Sequence, residues 1–259
     1  MNLIINKRAI ENTKHMKKVR LDILLVEKGL IESRSLATRM IMAGEVLVNG
    51  QSAVKPGQIV NGDAEISLKA KPPFVSRGGE KLMAALTAFQ LTNLEGFVCV
   101  DIGASTGGFT DCLLQHGAAR IYAVDVGYGQ LHEKLRKDPR VINMERTNAR
   151  SIAAFPEAIH LVTIDASFIS LKVLLPVIRV WAANKPLRVI ALVKPQFEAG
   201  RELAAKGKGV IRDEQVREEL VAEVLNFAQH EGFIAQGVQA SPLAGPKGNR
   251  EFLINLVLN

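Results

Sequence analysis

Nowhere in its 259 residues does the chain run for about 18 uncharged apolar positions, the length a helix needs to cross a bilayer, so no membrane-spanning helix is expected. The opening stretch, "MNLIINKRAIENTKHMKK", scatters charge throughout and lacks an apolar centre followed by a small-residue cleavage site. It does not read as a secretory signal, and the protein is expected to stay in the cytosol. Residues 1 to 18 are expected to form a disordered extension, or to stem in part from an upstream start codon, since recognisable patterning begins only after Met16. Cysteine is scarce: Cys99 falls in an apolar strand pattern, Cys112 in a helical one, and no CxxC pair exists. Buried thiols are expected, with no disulfide and no metal site.

What is present is apolar content enough for a sizeable core, 47%, in a length that suits one or two domains. The net charge of +7 is unevenly placed. Residues 1 to 77 hold 13 Lys and Arg against 7 Asp and Glu, whereas the remainder holds 20 against 19. A basic lobe beside a neutral body suggests a polyanion partner, because phosphate attraction is long-ranged and independent of sequence; a merely solvated surface is the equal alternative.

Residues 19 to 30, "VRLDILLVEKGL", space apolar side chains as one helical stripe that Gly29 ends. Ser33 can cap a second helix, "SRSLATRMIMAG". Asn49-Gly50 marks a hairpin turn between "EVLVNG" and "QSAVKPGQIV", because both residues tolerate positive φ, and "DAEISLK" adds a strand. Residues 19 to 71 are thus a small module. The run "SRSLATRMIMAGEVLVNGQSAVKPGQIVNGDAEI" resembles the small α-L RNA-binding domain named after ribosomal small-subunit protein four. That resemblance implies RNA phosphate contacts from Arg20, Arg34, Arg39 and Lys55; their simple solvation is the bland alternative.

Residues 72 to 79, with Pro72-Pro73 and Gly78-Gly79, read as a stiff linker, and a long helix is expected from near Glu80. From residue 80 to 259 apolar strands alternate with amphipathic helices, which argues for an α/β class with a mostly parallel, doubly wound, Rossmann-like sheet.

The most informative stretch is "DIGASTGGFTD", residues 101 to 111. A dinucleotide fingerprint needs G-x-G-x-x-G, whose second glycine lets the backbone approach a pyrophosphate. Here Gly103 is followed by Ala104, Ser105 and Thr106 before Gly107 and Gly108, so the middle glycine is missing. A ligand with an amino acid and a sulfonium in place of phosphates fits better. Asp101 is expected to take its ammonium, and the turn from Gly103 through Ser105, Gly107 and Gly108 to Phe109 to pass beside its ribose and methionine. Asp125, ending the next strand 22 positions after Gly103, is placed to accept both ribose hydroxyls. S-adenosylmethionine meets these demands. Asn148 is expected to face the adenine or to cap a turn.

The acceptor is narrowed by further absences. Enzymes that methylate base amines usually carry Asn/Asp-Pro-Pro-aromatic after the fourth strand; this chain has Asp165-Ala-Ser-Phe168, with neither prolines nor a cysteine for covalent attack on a pyrimidine. A ribose hydroxyl must lose its proton, and lysine can serve because nearby cations and partial burial lower a lysine's pKa. Lys81, Asp165, Lys194 and Glu251 stand at a helix start and at strand ends where they can converge. In this order, with "VDIGASTGGFTD", "TIDASFISL", "LVKPQFE" and "GPKGNREF", they resemble the TlyA family of FtsJ-like ribose 2′-O-methyltransferases, whose members were long labelled haemolysin A. The resemblance runs from about Met16 to the C-terminus. It implies methylation of a ribosomal RNA ribose, with the N-terminal module engaging the ribosomal subunit. It also implies Lys194 as the base or main polarising group, Asp165 and Glu251 as holders of the lysines, and Lys81 as the residue that tunes Lys194 and orients the hydroxyl. A non-catalytic RNA-binding assembly factor is the main alternative, a membrane-lytic protein a remote one.

The segment after Lys194, with Lys206, Lys208 and Arg212, reads as a lid, an RNA clamp or a plain connection. Phe168 and Phe197 are expected in the core, stacking on a splayed base being the second reading.

Overall fold

Strand β6, Val98–Ile102, is apolar at nearly every position and buried at all five, as expected of a central strand covered on both faces. The computed structural model describes residues 18–69, 72–182, 186–200 and 207–259. They form two units, divided between Lys71 and Pro72.

In the first unit, β1 (Lys18–Arg20) pairs antiparallel with β4 (Ile59–Asn61). A second sheet has the order β3 (Gln51–Ala53), β2 (Val46–Val48), β5 (Ile66–Leu68). The β2–β3 turn has positive φ at Asn49 and Gly50, 49° and 77°, as the sequence demands. Helix α1 spans Leu21–Glu27, shorter than its stripe, because Val19 and Arg20 are drawn into pairing with β4. Ser33 Oγ accepts the Leu36 N–H at the start of α2, Arg34–Met42. Leu21, Leu25, Ile41 and Val46 are fully buried at its centre.

Asp22 is buried among them, 2% exposed, and receives three charge-assisted bonds. Arg20 binds it through Nε and Nη2, both at 3.0 Å, and Arg34 through Nε at 2.8 Å.

The second unit is built on a seven-stranded sheet of order β11-β12-β10-β9-β6-β7-β8. The strands are β7 (Arg120–Val124), β8 (Val141–Met144), β9 (Leu161–Ile164), β10 (Leu187–Val193), β11 (Ile234–Ala240) and β12 (Phe252–Leu258). Only β12 runs antiparallel, wedged between β10 and β11. The chain order therefore reverses between β6 and β9, the crevice where doubly wound sheets place ligands. Helices cover both faces. On one, α6 (Leu171–Trp181) buries Leu171, Leu174, Leu175, Ile178 and Trp181 at helical spacing beside α8 (Glu214–His230). Each large apolar side chain so buried stabilises the fold by about 1.5–3 kcal/mol. On the other lie α3 (Gly78–Ala88), α4 (Gly108–Gln115) and the short α5 (Glu133–Arg136). Strand residues alternate between the two cores, Cys99 toward one and Val100 toward the other, with both cysteines free and buried.

The expected linker is part of this unit. Phe74 is 5% exposed, the Val75 N–H reaches Asp111 Oδ2 at 2.9 Å, and Gln115 Nε2 reaches the Pro73 carbonyl at 2.9 Å. Two prolines suggested a spacer, but the aromatic and apolar pair that follows them is what docks the stretch. The extension expected over residues 1 to 18 lies, Lys18 apart, outside the described residues. Among the described residues no helix is long and apolar enough to cross a membrane.

The Arg20 bonds hold the Asp22 carboxyl at about 2, below its ordinary value. A lowered folded value means stability that is present above the unfolded pKa and lost as pH falls from about 4 to about 2. Carbon-detected titration of the full chain should place Asp22 near 2, and Asp22→Asn should destabilise the first unit by about 1–3 kcal/mol while flattening that acid limb.

Candidate active site

After β6, Gly103 turns with φ +82°, and a side chain there would place its Cβ 2.9 Å from both the Ala166 Cα and the Asp165 carbonyl oxygen. The turn thus lies directly on the backbone that follows β9. Ser105, at φ +49°, donates its N–H to Asp125 Oδ2 at 2.8 Å, and Gly127 donates to Oδ1 at 2.6 Å. Asp125 therefore stands at the end of β7 where the spacing put it, bridging two loops.

Two hollows of about 470 and 400 Å³ meet at this point, sharing Gly103, Ser105, Asp165 and Ser167. The smaller has apolar walls, Ile102, Val124, Val126 and Leu174, with Asp125 and Asn148 at its polar side. The larger is lined by Ser76, Lys81, Gly108, Phe109 and the backbone around Gly245.

The four charged residues come together here as two ion pairs. Lys194, 7% exposed, binds Asp165 Oδ1 at 2.7 Å, with further bonds to Ser167 Oγ at 2.9 Å and the Asp165 carbonyl at 3.3 Å. Lys81 on α3 binds Glu251 Oε2 at 2.6 Å. Glu251 is fully buried, and its Oε1 has no hydrogen-bond partner among the described residues. It precedes β12, whose antiparallel course brings its beginning to the edge where the parallel strands end. Buried ions of one sign would be costly; pairing each lysine with a carboxylate lets two cations sit in a largely dry cleft.

Other expected residues fall differently. Asp101 is fully buried inside β6, and both oxygens are taken, by Thr110 Oγ1 at 2.6 Å and Thr163 Oγ1 at 3.1 Å. It ties β6 to α4 and β9 and does not reach the cleft, so the ammonium role expected of it is corrected. Burial pushes its carboxyl up to about 7, against the pull of the threonine hydroxyls. Gly107 and Gly108 are required chiefly by packing: a Cβ at Gly107 would strike Leu135 and Leu131, and one at Gly108 would strike Ser76 and α3. Asn148 caps the 149–151 turn, its Oδ1 accepting the Arg150 N–H at 3.0 Å, and it also lines the apolar hollow.

Phe168 corrects the expectation of core packing. Its side chain is 90% exposed, its φ is +64°, and its ring lies 5.0 Å from that of half-buried Phe197. Ser167 was not singled out in the sequence, and neither was Glu198, which closes the short helix α7 (Pro195–Glu198) and accepts from the Leu171 N–H at 2.8 Å and from Ser170 Oγ. Burial raises the Glu198 carboxyl above its ordinary value. The sequence signal for Glu198 is spacing, since Lys194, Phe197 and Glu198 stand at i, i+3 and i+4.

Lys206 lies outside the described residues. Lys208 and Arg212 are held by their backbones, Lys208 by Lys247 Nζ at 3.5 Å and Arg212 by buried Arg217 at 2.8 Å, so residues 207 to 212 are a pinned segment. In the first unit Arg20 and Arg34 converge on Asp22, whereas Arg39 and Lys55 are exposed on α2 and on the turn after β3.

Comparison with known proteins agrees with this geometry. A family model described as "FtsJ-like methyltransferase" matches residues 74–257, and one described as "S4 domain" matches residues 19–66. The chain is 46% identical over 244 residues to the 16S/23S rRNA (cytidine-2′-O)-methyltransferase TlyA of Mycobacterium tuberculosis, covering 92% of this chain and 89% of that protein. It is 41% identical over 243 residues to Hemolysin A of Brachyspira hyodysenteriae, covering 93% and 100%. A solved chain from Streptococcus thermophilus whose description carries the hemolysin label superposes with a TM-score of 0.70 at 45% identity, covering 94% of this chain and 90% of that one. With the paired lysines at the carboxyl edge of a sheet interrupted by one antiparallel strand, these matches establish that the chain belongs to the FtsJ-like methyltransferases and carries an S4 domain ahead of the catalytic unit.

Proposed function

We propose that the protein transfers a methyl group from S-adenosylmethionine to a ribose 2′-hydroxyl of ribosomal RNA, with the S4 unit contributing RNA affinity. The observation that carries this reading is the pair of lysine–carboxylate bridges, Lys194–Asp165 and Lys81–Glu251, at one cleft.

The donor suits the cleft's chemistry. The apolar hollow takes a flat purine, and each Asp125 oxygen accepts a single backbone N–H, leaving lone pairs for two ribose hydroxyls. Asp125 and Asp165 both line the smaller hollow, a setting that repels a diphosphate and favours a sulfonium. When bound, the donor supplies a methyl group already activated by positive sulfur. The chain's own work is then to align the acceptor oxygen and promote loss of its proton. Lys194, held as an ammonium by Asp165 and Ser167, polarises the 2′-hydroxyl and stabilises the developing oxyanion as its proton leaves to water. Lys81, held by Glu251, orients the same oxygen from the α3 side. Exposed Phe168 offers a face on which a splayed base stacks, fixing the nucleotide whose sugar reacts. In the S4 unit Arg39 and Lys55 are free to meet phosphates. Arg20 and Arg34 keep donors beyond those spent on Asp22, and the local excess of positive charge draws RNA from a distance.

Tritiated methyl transfer to purified ribosomal subunits, followed by mass-spectrometric mapping of ribose methylation, tests the reading. Lys194→Ala should lower transfer at least about a hundredfold while calorimetry still detects donor binding; undiminished turnover would remove Lys194 from the reaction. Gly103→Ala, which puts a methyl group against the Asp165 carbonyl in a left-handed backbone, should weaken donor binding by about tenfold or more. Phe168→Ala should raise KM for the subunit by the equivalent of about 1–3 kcal/mol, the worth of one base stack, and leave donor affinity near that of wild type.

A further inference from the structure

We infer that Glu198 is a positioning residue for the methyl-transfer reaction: it is the far anchor of a one-turn grip, residues 194–198, that holds the acceptor-facing loop 165–171 in place. This rests on the function proposed above.

The grip is visible contact by contact. Lys194 Nζ takes the Asp165 carboxylate, the Asp165 carbonyl and Ser167 Oγ. The Phe197 ring lies against the Phe168 ring. Glu198 takes Ser170 Oγ and the Leu171 N–H, the first helical position of α6. Three side chains from one turn thus hold both ends and the middle of a loop that joins β9 to α6. Spacing i, i+3, i+4 puts all three on one face, so the turn acts as a single jaw.

The loop needs such a jaw. Phe168 has φ +64° and an almost fully exposed ring. A bulky side chain holds a left-handed backbone only where its surroundings over-determine it, and such strain gathers where a ligand is clamped. Little burial rewards the Phe168 ring, so the constraint comes from the loop's two ends and from the one ring contact with Phe197. Lys194 fixes the first end and is itself in the reaction. Glu198 fixes the second: Lys194 binds Asp165 and Ser167, which line both hollows, whereas Glu198 binds Ser170 and Leu171, which line neither. Its effect on catalysis therefore passes through the loop. Around it stand Ser170, Leu171 and the Lys172–Glu223 ion pair, whose 2.8 Å bridge lies on the outer side of α6 and α8.

The role separates from mere support of the fold by its dependence on Phe168. In full-length protein assayed on purified subunits, Glu198→Ala should lower kcat/KM by about tenfold, as expected for two lost hydrogen bonds that hold the loop. Glu198→Gln, which keeps an acceptor for the Leu171 N–H, should restore most of that loss. In a Phe168→Ala background, Glu198→Ala should cost little further, because the ring it aims is already gone. Equal losses with and without Phe168, or a Glu198→Ala enzyme as active as wild type, would overturn the inference while leaving the methyltransferase reading intact. Wild-type protein that transfers no methyl group would instead overturn that reading. Should Glu198→Ala fail to fold, Ser170→Ala removes one of the two bonds with Glu198 still present, together with its cap on the Lys172 N–H; because loss of a cap alone would not depend on Phe168, the same dependence on Phe168 is expected, and additivity again refutes the grip.

Discussion

The ion pair between Lys194 and Asp165 is the constraint around which the catalytic unit is arranged. The two residues end adjacent parallel strands, β10 and β9, and their bond draws together the segments that leave those strands in different directions. Lys194 is 7% exposed, so its charge would be prohibitive without the carboxylate, and Asp165 lines both hollows, so its position sets their common wall. Gly103 then has to be glycine, because the backbone after Asp165 occupies the space a side chain would fill. One buried bond thus fixes the end of β9, the approach of the β6 turn and the shape of the cleft between them.

The second pair is topologically harder to build, and the antiparallel strand explains how it is made. Glu251 precedes β12, and had β12 run parallel to its neighbours that carboxylate would lie at the opposite edge of the sheet, far from α3. Reversing one strand carries the start of β12 to the carboxyl edge, where Lys81 at the beginning of α3 can reach it. The departure from a wholly parallel sheet and the assembly of the cleft are consequently one feature.

Much of this was legible in the sequence, for physical reasons that differ by element. The Asn49-Gly50 turn, the Ser33 cap and the alternation of apolar strands with striped helices are local, set by backbone preference and by periodicity. Asp125, Asp165 and Lys194 could be placed because a residue ending a parallel strand must come to the ligand-bearing edge. What stayed hidden depends on distant partners. Asp101 looks like a strand-end acid, but it lies within β6, two positions short of the level of Asp125 and Asp165, where Thr110 and Thr163 take both its oxygens. Phe168 looks like core in composition, and nothing local announces a left-handed backbone that lifts the ring into solvent. The start of α1 differs from its apolar stripe because the pairing of Arg20 with Ile59 spans 39 positions, invisible to any local window.

The positive charge of the S4 unit also takes on a different meaning once Asp22 is seen. Counting charges makes Arg20 and Arg34 two equivalent surface cations, yet one buried carboxylate holds both by their Nε atoms, and its low pKa keeps it ionised through the whole neutral range. The pair then carries a single net charge while keeping guanidinium donors to spend. A long arginine left free would lose rotamer entropy on meeting a phosphate; one already held loses less. Asp22 thus trades part of the long-range attraction for preorganisation. Arg39 and Lys55, bound to no acid among the described residues, supply the attraction that acts before contact. Steering and docking are in this way assigned to different cations of the same small unit, a division that net charge alone conceals.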